Sequence, residues 1–219
     1  MAAVDCDDPE LGRDLTELVQ RVREAGGWID PAVCIRGHGG SLTVAAAGEV
    51  EGPFLMRLPE GLLLPTGPVD FAVDGSRLVA AHRPEGYSDL QYELLERMLA
   101  LYNRTGKLVE HERQSPALAL RAVPAVRDRL RAARAGARTL EERFDRVEQG
   151  RREDCLAADF LKTRTLGFRG RDSGAAVPVL MPVIDFLNHD FRAPLIVTRG
   201  GSPCTGRSGL PGRMSATSA

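Results

Sequence analysis

Four residues near the end of one apolar run offer the densest chemistry in the chain: Asp185, Asn188, His189 and Asp190 place two carboxylates, an amide and an imidazole within six residues. Polar groups of this kind at strand ends commonly contact ligands. Asp185 and His189 share a face if the turn between them is helical, a spacing that suits a metal pair. Zinc, however, needs at least three protein ligands, and no third stands nearby, so no metal is expected. The competing reading is a polar turn in which Asn and Asp side chains bond to the local backbone. On these four residues alone, that reading is the stronger.

The run that delivers them, residues 176–184, is apolar throughout and interrupted by Pro178 and Pro182. It predicts a buried strand leading into Asp185, with a hairpin or loop before it, after Gly167. Upstream, Leu15, Leu18, Val19 and Val22 recur at three- and four-residue spacing, predicting an amphipathic helix over 11–25 that ends at Gly26-Gly27. Residues 28–65 read as short β runs at 33–35, 42–47, 54–58 and 62–64, separated by glycine-containing turns. A helical period returns over 87–101 through Leu90, Leu94, Leu95, Met98, Leu99 and Leu101, with Ser88 placed to cap it and Asn103 near its end. Residues 123–130 and 140–147 continue in helix-favouring sequence. The stretch 199–219 is dominated by Gly, Ser, Thr, Pro and Arg and is not expected to order itself.

Composition narrows the function classes. A net charge of −1 gives no basic excess of the kind nucleic-acid binders carry. The arginines of 121–152 are interleaved with Asp128, Glu141, Glu142, Asp145 and Glu148, without an aromatic platform, so no nucleic-acid partner is expected there either. Cys6, Cys34, Cys155 and Cys204 lie far apart, with neither metal spacing nor the density of a disulfide scaffold, which predicts free thiols in a reducing compartment. The N-terminus is acidic where a signal peptide is basic, and no apolar run approaches the ~20 residues that span a bilayer. The expectation is a cytoplasmic protein with no membrane partner. Nothing in the sequence sets an oligomeric state.

The order of features along residues 28–190 resembles the SET-domain protein methyltransferases of the Rubisco large-subunit methyltransferase type. That family shows a Gly-rich turn, an "Ala-Thr" strand end, an acidic or Gly turn and a strand ending in "Val-Pro-x-x-Leu-Leu". Gly39-Gly40, residues 44–47, Glu51-Gly52 and Leu58-Pro59-Glu60-Gly61-Leu62-Leu63 follow that succession. A helical insert then divides the domain, followed by a "Thr-Arg" or "Ser-Arg" element, matched by Thr163-Arg164. Next comes "Leu-x-Pro-x-x-Asp-x-x-Asn-His", matched by Leu180, Pro182, Asp185, Asn188 and His189. The resemblance implies an α+β fold: a SET domain of small β-sheets interrupted by a helical insert, with its C-terminal part incomplete. The implied organisation is an N-terminal helix (1–27), an N-terminal β portion (28–84), the insert (85–163), a second SET portion with the cofactor loop (164–197) and the low-complexity tail (198–219).

Carried over by position, the resemblance implies S-adenosylmethionine as cofactor. Asn188 and His189 contact it, Asp185 fixes their loop, Arg164 stands beside the cofactor or substrate channel, and Gly39-Gly40 lies nearby. The implied activity is methyl transfer to a protein side chain, a lysine or, as in one relative, a histidine. Residues of these types suit the task, because the cofactor brings the reactive methyl group and the protein has only to orient it and exclude water.

Two departures bear on activity. Ala45 stands where the family commonly has a cofactor-contacting arginine. The catalytic tyrosine that should follow Asn-His is also missing, since Tyr87, Tyr92 and Tyr102 all precede it. The resemblance stops near Ile196 or Val197, which points to a break in the reading frame and to a fragment. The alternative function is a catalytically inactive SET-like module that binds protein partners through its helical block.

Overall fold

The computed structural model describes residues 3–50, 54–114, 152–170, 176–186, 196–197 and 204–207. They form an α+β arrangement of helices packed on several small sheets. The predicted helices at 123–130 and 140–147 lie outside the described residues, as does most of the tail.

Strand β1 (Ala3–Cys6) leads into α1 (Pro9–Glu24), whose start is fixed by sequence: Asp8 accepts hydrogen bonds from the backbone N–H groups of Glu10 and Leu11, and Pro9 occupies the first turn. The apolar stripe Leu11, Leu15, Leu18, Val19 and Val22 is buried. After β2 (Trp28–Ile29), β3 (Val33–His38) runs parallel to β1, so that α1 forms part of the crossover between them. Strand β3 turns back into β4 (Ser41–Ala46) through Gly39-Gly40, both at positive φ (57° and 77°), which a two-residue hairpin turn demands and glycine supplies.

Next come β5 (Phe54–Leu58), a one-turn 3-10 helix (Glu60–Leu62) and β6 (Leu64–Pro65). A hairpin of β7 (Phe71–Asp74) and β8 (Arg77–Ala80) follows, which the periodicity of its short strands did not announce.

Helix α2 (Asp89–Arg104) begins with a reciprocal capping box between Ser88 and Gln91, as the placement of Ser88 predicts. Both of its ends are tied down. The Tyr87 hydroxyl donates to the Pro65 carbonyl (2.6 Å) and Gln91 to the Leu63 carbonyl (2.8 Å). At the far end, the Asn103 amide both accepts from and donates to the backbone of Leu78 (2.8 and 2.9 Å). Helix α3 (Lys107–Gln114) follows directly. Helices α1 and α2 are antiparallel neighbours, joined by pairs that run in opposite order along the two chains: Arg104 with Glu10 and Asp14, Arg97 with Glu17, Glu93 with Arg21.

Helix α4 (Arg152–Lys162) leads to β9 (Leu166–Phe168), which pairs with β10 (Val177–Leu180) as the hairpin expected after Gly167. The far side of β10 pairs with β6, and Thr66 donates to the Pro178 carbonyl from both its N–H and its hydroxyl across a separation of 112 residues. Pro178 has no N–H to lose from this ladder, and it sits opposite Gly167. The apolar run of the sequence thus contains a short strand rather than a continuous one, because Pro182 ends the ladder and Val183 turns the chain. Within the tail where no order is expected, Cys204–Arg207 forms a strand, β12, between β5 and β11 (Ile196–Val197). Its backbone pairs with β5, which needs no apolar side chains from the tail itself. No helix among the described residues is long and apolar enough to cross a membrane.

Candidate functional site

The end of β10 is where the sequence concentrates its polar chemistry, and the backbone there is unusual. Val183 lies at φ 68°, and the Ile184 N–H donates to the Pro182 carbonyl (2.8 Å), a tight γ-turn centred on a β-branched residue. Positive φ at valine is an outlier that costs on the order of 1–3 kcal/mol and persists only where the surroundings impose it. Here the Val183 side chain is fully buried, and the next residues form a 3-10 turn (Ile184–Phe186) closed by Phe186 N–H to Val183 O, while Asp185 N–H reaches back to Met181 O. The bend presents the Asp185 carboxylate to the helices, while Ile184 and Phe186 enter the core.

Among the described residues, Asp185 meets two partners from distant parts of the chain. The Tyr102 hydroxyl, from the last turn of α2, donates to Asp185 Oδ2 at 2.6 Å. The Arg164 guanidinium, just beyond α4, stands 3.8 Å from the same oxygen. Asp185 is only 6% exposed and Tyr102 is buried, whereas Arg164 keeps 28% of its side chain open. Burial pushes the Tyr102 hydroxyl well above its ordinary pKa, the Asp185 carboxylate and the bond to it push further, and Arg164 opposes them. Tyr102 is therefore a fixed donor throughout the physiological range.

Arg164 is placed by the end of α4. Its N–H and that of Thr165 donate to the Leu161 carbonyl, and the Thr163 hydroxyl donates to the Phe160 carbonyl (2.7 Å). The guanidinium lies over the Phe160 ring, 5.4 Å from its centroid. Phe160 in turn meets Tyr102 edge-on (5.2 Å) and His111 of α3 (5.7 Å). The Arg164 Nε–H is buried and finds no acceptor among the described residues.

A cavity of about 60 Å³ opens on this cluster, lined by Leu42, Tyr102, Lys107, Arg164 and Phe186. That is room for one small ligand group, whereas a pocket enclosing a whole cofactor-sized molecule holds roughly 300–1,000 Å³. Strand β4 packs against the Ile184–Phe186 turn, and the turn at Gly40 faces the Thr105 carbonyl, so the β3–β4 hairpin borders the same region. Lys107 is mostly shielded and pairs with Glu110 at 2.9 Å.

No protein-family model, curated protein or solved structure matches this chain.

Of the site residues picked out in the sequence, Arg164 and Asp185 are brought together, and Asn188 and His189 lie outside the described residues. Asp190 does as well. No group of three metal-ligating side chains occurs among the described residues. Ala45 faces the core opposite Cys34 and carries no polar function. The sequence reading missed Tyr102 and Lys107. Tyr102 continues the apolar stripe of α2 and reads as core, though its hydroxyl needs a buried partner. Lys107 is one of only two lysines among 29 basic residues, a signal available in the composition.

Proposed function

We infer that this chain is an S-adenosylmethionine-dependent protein-lysine N-methyltransferase of the SET type, or a part of one, with the cofactor's amino-acid end at the cavity beside Arg164. The observation that carries the reading is the approach of Arg164 and Asp185, two residues singled out by motif and 21 positions apart, with Arg164 lining a small polar cavity and Asp185 behind it. The donor set fits such a ligand. A buried guanidinium N–H without an acceptor among the described residues suits a carboxylate, and the Lys107 ammonium, paired with Glu110, lines the same cavity.

The cofactor supplies the activated methyl group when bound. The residues of this chain supply position and dryness. Arg164, held over Phe160, offers a donor of fixed direction. Asp185 acts from behind through Tyr102 and Arg164. Leu42 and Phe186 wall the cavity with apolar surface that limits water. The protein substrate, by this reading, presents an amine from outside the cavity.

Calorimetric titration of the 219-residue protein tests the reading. S-adenosylmethionine and S-adenosylhomocysteine are both expected to bind, with Arg164→Ala weakening each at least about tenfold, as loss of a charge-assisted contact does. Absence of heat from both ligands at concentrations up to about a millimolar removes the reading.

A further inference from the structure

We propose that Tyr102 is a positioning residue that keeps Arg164 available to ligand by occupying the Asp185 oxygen on which the guanidinium would otherwise close. Three observations converge on this. The Tyr102 hydroxyl sits at 2.6 Å from Asp185 Oδ2, a short charge-assisted bond, while Arg164 Nη1 is held off the same atom at 3.8 Å. Arginine and carboxylate at such a separation ordinarily close to a two-pronged pair near 2.8 Å, and here they have not. The Arg164 Nε–H, on the side of the guanidinium away from Nη1, is buried without an acceptor among the described residues and belongs to a side chain that lines the cavity.

The aromatic cluster explains how the open arrangement is maintained. Phe160 carries the guanidinium on its face and Tyr102 against its edge, so one ring sets the spacing between these two described partners of Asp185. Tyr102 itself cannot drift, since Asn103 beside it is clamped to the Leu78 backbone and Thr105 Oγ1 donates to the Leu101 carbonyl. Tyr102 thus comes from the helical block yet governs a donor used at the strand end. The inference rests on the reading of this cavity as the cofactor's amino-acid site only for the identity of the ligand. The competition between Tyr102 and Arg164 for Asp185 stands on the geometry.

The test is side-chain NMR of the Arg164 Nε–H, assigned as the signal lost in Arg164→Lys, together with calorimetry using S-adenosylmethionine. In Tyr102→Phe the Nε–H signal is expected to shift, because the guanidinium moves as Arg164 closes on Asp185. Cofactor affinity falls about ten- to a hundredfold. Adding Asp185→Asn to Tyr102→Phe removes the charge that draws Arg164 in, so the signal returns toward its original position and part of the affinity is recovered. A merely structural tyrosine gives the opposite pattern: the melting temperature drops, the Arg164 signal stays in place and the two substitutions add their losses. That pattern overturns the proposal. If Tyr102→Phe does not fold, Asp185→Asn alone decides: the Arg164 signal is expected to stay in place, and a large shift shows that Asp185 already held the guanidinium. A wild-type protein that binds no cofactor sinks the methyltransferase reading, while the NMR outcome still settles the role of Tyr102.

Discussion

Two sets of charged contacts join the helices of this protein to their neighbours, and they work under opposite conditions. Between α1 and α2, Arg21, Arg97 and Arg104 form a ladder with Glu10, Asp14, Glu17 and Glu93 at 2.7 to 3.2 Å, every member partly open to solvent. At the strand end, Asp185 meets a buried hydroxyl and a distant guanidinium among the described residues. The ladder has the shorter ion pairs and the larger number of them. Its contribution is nevertheless small, because exposed pairs gain little Coulomb energy over water and are screened by salt. The single Tyr102–Asp185 bond matters more, since breaking it leaves a buried hydroxyl without its acceptor.

The contrast can be tested at its strongest point through Phe160, which touches Tyr102, His111 and Arg164 and is fully buried. Phe160→Ala is expected to cost about 3–5 kcal/mol by denaturant midpoint with little change in slope, the range for a large ring removed from a core. Next, Asp185→Ala leaves the Tyr102 hydroxyl buried without its acceptor and is expected to cost about 1.5–3 kcal/mol. Unlike any ladder substitution, its effect should be nearly independent of salt between about 0.05 and 0.5 M.

Alkaline pH separates the two regions without mutation. Burial raises the pKa of both Tyr87 and Tyr102 above the ordinary value near 10. Their contribution is therefore fully present below about pH 10, where tyrosine is protonated in folded and unfolded chains alike. It is lost as pH rises from there through the raised folded values, because the unfolded chain ionises first. Thermal melts across this window should show a fall that Tyr102→Phe makes shallower and that Glu93→Gln leaves unchanged. The smallest effect belongs to the ladder: Arg97→Ala, which removes the contacts to Glu17 and Glu93, should cost below about 1 kcal/mol and vanish at high salt.

The same contrast explains what could be read in the sequence. Helices α1 and α2 are legible because their stripes repeat at helical spacing and their caps, Asp8 and Ser88, stand in the chain just before them. The β3–β4 hairpin is legible because Gly39-Gly40 can hardly be anything but a turn between apolar runs. Strand β1 is not, since Ala-Val-Asp-Cys is too short and too acidic to announce itself until β3 pairs with it. The β7–β8 hairpin was missed although Gly75-Ser76 marks its turn. At the site, Arg164 and Asp185 could be named from a motif, but their meeting could not. It depends on Tyr102, 83 positions from Asp185, whose polar tip is invisible in a stripe of leucines. The positive φ of Val183 likewise arises from tertiary packing, since valine has no local preference for it.

The pairing of β6 with β10 has a consequence in time. Thr66 and Pro178 are 112 residues apart, so on a ribosome adding ~5–20 residues per second the β6 edge waits on the order of ten seconds for its partner. During that interval α2 is already tied to the β6 region, through the Tyr87 and Gln91 bonds to the carbonyls that flank Leu64. Arg164 is made before Asp185 exists, and the cavity takes shape only once Phe186 has been added.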